Sequence, residues 1–363
     1  MLANLHNRLQ LLRAQLRLAG SQALLVSHRA NIFYLTGFTG DNGLLLLDPL
    51  GAVFFTDPRF KTQASQECRG TRLRILITKM PLLQAAGDYL AARRQGGCIA
   101  FEEDRLSVAQ LRQIRSAASR GWVWKGTRGL VEGLREAKDI EEIAKIRDAA
   151  HLASGVMLYA IRSVKAGITE QELAAEIEYQ MRRRGAEGPS FETIVASGER
   201  AALPHGRATS KRLKEKELVV LDLGVILRGY CSDLTRTVHL GSASREVQRW
   251  YKAVLEAQSE ARKAVRAGVE AAQVDEAARR VLRRERLERY FIHSTGHGLG
   301  LEVHERPSLG RNQKALLKAG SVVTIEPGVY LPGRGGIRIE DDVLVLEGGS
   351  ETLTSTPREL MEV

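Results

Sequence analysis

Hydrophobic positions step by three and four at Leu2, Leu5, Leu9, Leu12 and Leu16, which predicts an amphipathic helix over about 2–19. An apolar strand follows at Ala23–Val26. Strands are expected at Leu44–Leu47 and Val53–Thr56, split by the turn composition Asp48-Pro49-Leu50-Gly51. Helical signals near 58–68, 82–94 and 107–118 alternate with short strands at Leu73–Thr78, Cys98–Phe101 and Trp122–Trp124. The pattern changes at the glycine-rich Gly126-Thr127-Arg128-Gly129. Beyond it, Ile140, Ile143, Ile146, Ala150, Ala153, Met157, Ala160 and Val164 hold one face of a long helix. Thr169 and Glu172 form a capping box for a second helix through Leu173, Ile177 and Met181. Two more helices are expected at about 244–267 and 271–288, and strand signals dominate 191–197, 217–239 and 321–346. The reading is an α/β domain over 1–130 followed by an α+β domain over 131–363.

Two of the strand regions carry acids where acids are disfavoured. In Leu218-Val-Val-Leu-Asp222, a turn and then Asp233-Leu-Thr-Arg-Thr-Val238, a hairpin centred between Leu227 and Arg228 puts Asp222 opposite Asp233. Directly paired Cβ atoms lie ~5 Å apart, so two like charges would repel unless a cation sits between them. The second region repeats the arrangement. Around a Pro/Gly-rich turn centred on Gly333, Glu326 faces Glu340. One buried acid in a strand is commonly a satisfied hydrogen-bond acceptor, but four are better explained by a metal. Carboxylate oxygens suit Mn²⁺, Mg²⁺ or Ca²⁺, and a single imidazole shifts the choice towards Mn, Co, Fe or Zn. Imidazoles are at hand in His293, His297 and His304, among glycines, and in His205.

Charge alters this picture little. The net charge is +11, of which residues 1–133 carry +9 and residues 134–363 only +2. The arginines are scattered along helical segments, with short clusters at Arg182–Arg184 and Arg279–Arg289. That distribution fits solvated helix faces, and a nucleic-acid partner is disfavoured. No apolar stretch approaches a membrane span. Cys68, Cys98 and Cys231 are far apart and odd in number, so a reduced, cytoplasmic protein is expected. Gly296-His-Gly-Leu-Gly300 runs on into Leu-Glu-Val-His rather than opening a dinucleotide-binding helix, and His304-Glu305 lacks the second His of a zinc-protease helix.

Residues 131–363 resemble the pita-bread metallopeptidases: methionine aminopeptidase, prolidase and aminopeptidase P. The resemblance rests on Asp222, Asp233, His297, Glu326 and Glu340, in order and each within its local motif. The N-terminal part resembles the creatinase-like domain that precedes the catalytic domain in prolidases and aminopeptidases P, most clearly at Asn31-Ile-Phe-Tyr-Leu-Thr-Gly-Phe38. The resemblance implies a curved, mainly antiparallel catalytic sheet and two divalent metal ions, Mn²⁺ first and Co²⁺ or Zn²⁺ as alternatives. Asp222 would bind one metal through both oxygens, Asp233 and Glu340 would bridge, and His297 and Glu326 would complete the other ion. Glu326 would take and pass on a proton, and His304 would donate to the developing oxyanion. His205 and His293 would position the substrate. Arg338 would either orient carboxylates or meet the substrate. The implied reaction is hydrolysis of an N-terminal Xaa-Pro bond by a homodimer. The leaning is to aminopeptidase P; prolidase is the alternative, and a non-catalytic peptidase-like binding protein is a distant one.

Overall fold

A computed structural model describes residues 2–93, 96–118 and 120–363. Arg94, the last residue of the helix expected over 82–94, lies outside them. The chain divides into two compact units, Met1–Arg135 and Glu136–Val363. No helix among the described residues is long and apolar enough to cross a membrane.

The first unit is built on a six-stranded mixed sheet. Its strands are β1 (Ala23–Val26), β2 (Gly43–Asp48), β3 (Gly51–Thr56), β4 (Leu73–Ile77), β5 (Gly97–Glu102) and β6 (Trp122–Thr127), in the order β4-β3-β2-β1-β5-β6. The helices are α1 (Leu2–Leu18), α2 (Arg29–Thr36), α3 (Lys61–Glu67), α4 (Leu82–Ala91), α5 (Val108–Ala117) and α6 (Glu132–Arg135). Leu5, Leu9, Leu12 and Leu16 are buried as their spacing predicts. α2 is a helix that periodicity does not announce. It carries Asn31, Tyr34 and Thr36, weak helix formers that are all buried. It stops at Gly37, whose φ of 76° suits a residue without a Cβ.

The second unit opens with α7 (Ile140–Ser163) and α8 (Glu170–Arg183). The capping box at Thr169 and Glu172 is present. Ile140 departs from the predicted apolar face: it starts α7 and is exposed, and burial begins in earnest at Ile146. Next come β7 (Gly188–Pro189), β8 (Ile194–Ser197), β9 (Glu217–Leu223), β10 (Val225–Leu227), β11 (Tyr230–Cys231) and β12 (Leu234–Leu240). Helices α9 (Arg245–Ala264) and α10 (Ala271–Arg284) lead into β13 (Gly296–Gly298), β14 (Glu305–Leu309), β15 (Val322–Ile325), β16 (Gly328–Leu331), β17 (Gly335–Arg338), β18 (Asp341–Leu346), β19 (Gly349–Thr352) and β20 (Met361–Glu362). One sheet runs β20-β12-β9-β8 and another β14-β13-β15-β18-β19. All their pairings are antiparallel except β12 with β20. α7 and α8 pack on the first sheet through Ala153, Met157 and Ile177 against Val219, Leu221 and Val238. α9 and α10 pack on the second through Val254, Val274 and Leu282 against Val323, Ile325 and Val343.

The two acid-bearing hairpins differ from each other in register. β16 and β17 pair Gly328 with Arg338 and Leu331 with Gly335, and β15 and β18 pair Ile325 with Asp341. The register centred on Gly333 therefore runs through both ladders, and Glu326 and Glu340 face each other in the gap between them. In the other hairpin Asp222 pairs with Thr235, not with Asp233 as expected. The turn is centred one residue later than predicted, on Arg228 and Gly229, which both have positive φ, 51° and 78°. Asp233 lies two residues from Thr235, so it keeps the same face and becomes a diagonal neighbour of Asp222.

Candidate metal centre

The sequence-predicted ligands converge on one cavity of about 580 Å³, lined by Asp222, Asp233, His297, Glu326 and Glu340. Ligand atoms of Asp233, His297 and Glu340 lie within 4.8 Å of one another. His297 Nε2 stands 3.6 Å from Asp233 Oδ2 and 3.4 Å from Glu326 Oε1. Its Nδ1 faces the Gly298 carbonyl at 3.0 Å, so that nitrogen donates and Nε2 presents a lone pair to the acids. Burial, assisted by His304, lowers the His297 pKa to about 4 and keeps the ring neutral.

Asp233, Glu340 and Glu326 are far from their ordinary ionisation. Burial, then the charges of Glu340, Asp222 and Glu326, pushes Asp233 well above the usual carboxylate range. Burial, then Glu326 and Asp222, does the same to Glu340. Burial raises Glu326 to about 8 against the opposing charge of Arg338. Asp222 Oδ1 is buried with no hydrogen-bond partner among the described residues. Carboxylates that hold each other protonated, an orphaned carboxylate oxygen and a free imidazole lone pair are what a divalent cation would resolve. The donor set, oxygens with one nitrogen, fits the metals expected from it.

The surrounding side chains fix these ligands. Arg338 is buried, and its Nη2 donates to Asp222 Oδ2 at 2.5 Å. Its Nη1 donates to Tyr330 Oη and the Pro204 carbonyl, and its Nε to Thr235 Oγ1. All three guanidinium nitrogens are committed to protein acceptors, one of them to the Asp222 carboxylate. Thr235 Oγ1 donates to Glu340 Oε2 at 2.5 Å, and Thr324 Oγ1 to Glu326 Oε1 at 3.3 Å. His293 Nδ1 faces the Ser294 carbonyl at 2.8 Å and its Nε2 meets Tyr330 Oη at 2.9 Å. With both nitrogens engaged and its pKa lowered to about 4, chiefly by burial, His293 offers the cavity a neutral ring. His205 and His304 are exposed at the cavity, and His304 stacks edge-on to His297 with centroids 4.3 Å apart.

Sequence reasoning missed Tyr330 and Thr235. Tyr330 shares strand parity with Glu326, and Thr235 with Asp233, so alternation along each strand could have flagged both. Cys231 is buried beside the site without entering the cavity lining, in keeping with a packed residue.

An antiparallel scaffold holding four acids and an imidazole in one cavity defines a candidate metal-dependent hydrolase. Residues 144–347 match the model of metallopeptidase family M24, and residues 8–137 match that of the creatinase/prolidase N-terminal domain; the chain belongs to the M24 family. A solved Xaa-Pro dipeptidase from Bacillus anthracis superposes with a TM-score of 0.95 at 35% identity, covering 99% of this chain and 100% of that one. A solved X-Pro aminopeptidase from Thermotoga maritima gives 0.88 at 39% identity, covering 96% and 99%. The Xaa-Pro dipeptidase of Pyrococcus horikoshii is 35% identical over 93% of this chain and 94% of its own length. The chain is therefore an enzyme of the metallopeptidase class.

Proposed function

We propose that the protein is a prolidase, hydrolysing the single peptide bond of Xaa-Pro dipeptides. The carrying observation is the buried carboxylate–imidazole cluster in a chain whose full-length relatives include Xaa-Pro dipeptidases. This shifts the leaning from aminopeptidase P, which the Thermotoga relative keeps as the second reading.

Asp222, Asp233, His297, Glu326 and Glu340 would hold two divalent ions, with Mn²⁺ the first expectation. Such ions supply Lewis acidity and a nucleophilic water at neutral pH. The residues do the rest. Glu326 would accept a proton and pass it to the departing proline nitrogen. His304, whose pKa is lowered by partial desolvation and then by the neighbouring His205, would donate an N–H to a developing oxyanion. The ring of His293 and the side chains of Phe191 and Val303 give the cavity apolar walls suited to a pyrrolidine ring. His205, in the cavity lining, would orient the peptide. Homodimerisation in the cytoplasm belongs to the same reading and is checked by light scattering and fractionation.

The deciding assay compares Xaa-Pro dipeptides with Xaa-Pro-Xaa tripeptides on the metal-loaded protein. A dipeptide preference supports prolidase; faster tripeptide cleavage transfers the protein to aminopeptidase P. Glu326→Gln should lose most turnover while circular dichroism shows an intact fold.

A further inference from the structure

Outside the cavity lies a buried acid of the opposite kind. Glu170 is the first residue of α8 and is fully buried. Its carboxylate accepts five hydrogen bonds: on Oε1 from Ser197 N and Ser197 Oγ, both at 2.9 Å, and on Oε2 from Arg200 Nε at 3.0 Å, Thr209 N at 3.0 Å and Thr209 Oγ1 at 2.8 Å. The helix does not need this carboxylate for its own end, because Thr169 and Glu172 already cap it. All five donors instead come from one segment of chain. Ser197 is where that segment leaves β8, Thr209 is where it passes the start of α8 before running on to β9, and Arg200 lies between them.

The segment carries His205. Within it, Arg200 Nη2 also donates to the Arg207 carbonyl at 2.5 Å, and Arg338 Nη1 reaches the Pro204 carbonyl at 3.1 Å. Gly206 is packed so closely that a Cβ there would stand 3.0 Å from Ala196 Cβ. A surface loop of this length is ordinarily mobile unless its polar groups are tied down. Here both of its ends are gathered onto one carboxylate that takes no part in lining the cavity.

We propose that Glu170 is a positioning residue: it clasps the two ends of loop 198–208 and thereby holds His205 at the cavity. The proposal rests on the assignment of His205 to substrate orientation. Glutamine can keep an acceptor for Ser197 but turns an N–H₂ towards the donors of Arg200 and Thr209, so Glu170→Gln opens the clasp on one side.

The test is a double-mutant cycle on the metal-loaded protein with Xaa-Pro dipeptide as substrate. Glu170→Gln should raise KM about tenfold or more while kcat falls less. In a His205→Ala background the same substitution should cost less than about twofold, because the group it positions is gone. Hydrogen–deuterium exchange should quicken in 198–208 while α7 and β9 keep their protection. Thr209→Val, which removes a single donor, should show the same pattern in miniature, so a Glu170→Gln protein that fails to fold still leaves a decision. An equal loss in both backgrounds, or unchanged loop exchange, overturns the proposal. If the parent protein turns over no Xaa-Pro peptide, the function reading fails, and the exchange measurement still decides whether the clasp exists.

Discussion

Glu102 in the first unit and the acid cluster in the second are both buried carboxylates, and their surroundings are opposite. Glu102 Oε2 accepts from Ser27 N, Ser27 Oγ and His28 N, and Oε1 from Asn31 Nδ2 at 2.6 Å. Asn31 is held in turn by Arg135, which donates to its Oδ1 at 2.6 Å. Both oxygens that burial strips of water have been given proton donors. In the second unit Asp222, Asp233, Glu326 and Glu340 are set against each other, and Arg338 is the cation that neutralises one of them directly. The first arrangement is what a stable fold does with an acid. The second keeps charge in reserve for a ligand, and the protein without metal bears its cost.

The largest effect that tests this contrast is metal removal. Chelation should abolish peptidase activity and added Mn²⁺ should restore it. Activity that survives exhaustive chelation would place the second cluster alongside Glu102 as structural. Next in size is Asp233→Asn. It should lower kcat/KM by about a thousandfold, the equivalent of ~4 kcal/mol of transition-state stabilisation, and reduce metal content by elemental analysis. The chelated variant should be no less stable than the chelated parent, since it loses a repelling acid rather than a satisfied one. A marked drop in its denaturation midpoint would contradict that account. Glu102→Ala reverses the expectation. It strands the donors of Ser27, His28 and Asn31 and should cost about 3 kcal/mol of stability, read as a lowered urea midpoint, with metal content per folded protein unchanged.

How far this contrast could be read from the residues depends on the turn. Glu326 and Glu340 could be paired because Pro332 and Gly333 mark the turn and the intervening strands alternate regularly, so parity and centre are both fixed. The Asp222 hairpin was misplaced because its turn uses Arg228 at positive φ, where Asn or Gly would be the recognisable signal. The error moved the pairing by two residues and so left both acids on one face, which is why the ligand set was insensitive to it. α2 was not legible for a different reason. Its polar residues look like a loop until Glu102, far along the chain, supplies the acceptor that lets Asn31 be buried. The Glu170 clasp is illegible in the same way, because its donors come from a loop whose path only the folded chain defines.

The smallest predicted effect concerns pH, and its sign separates the two kinds of buried group. Glu326 has a folded pKa of about 8 against an ordinary 4.5, and Asp233 and Glu340 are also raised. A raised folded pKa contributes stability that is complete below the unfolded value and is lost as pH climbs through the folded one. His293 and His297 are depressed to about 4 from 6.5. Their contribution is complete above 6.5 and is lost as pH falls towards 4. Between 4.5 and 6.5 the two trends oppose each other. Between 6.5 and 8 the imidazoles are neutral in both states and the carboxylates act alone. The chelated protein should therefore lose stability across that window, by about 2 kcal/mol for each proton the cluster retains. Urea midpoints at pH 6.5, 7.2 and 8 with excess chelator measure the slope. Bound divalent cations replace those protons, so the same series in Mn²⁺ should be flat over this range. A chelated protein whose midpoint stays constant or rises would show that the cluster's acids are already ionised and satisfied.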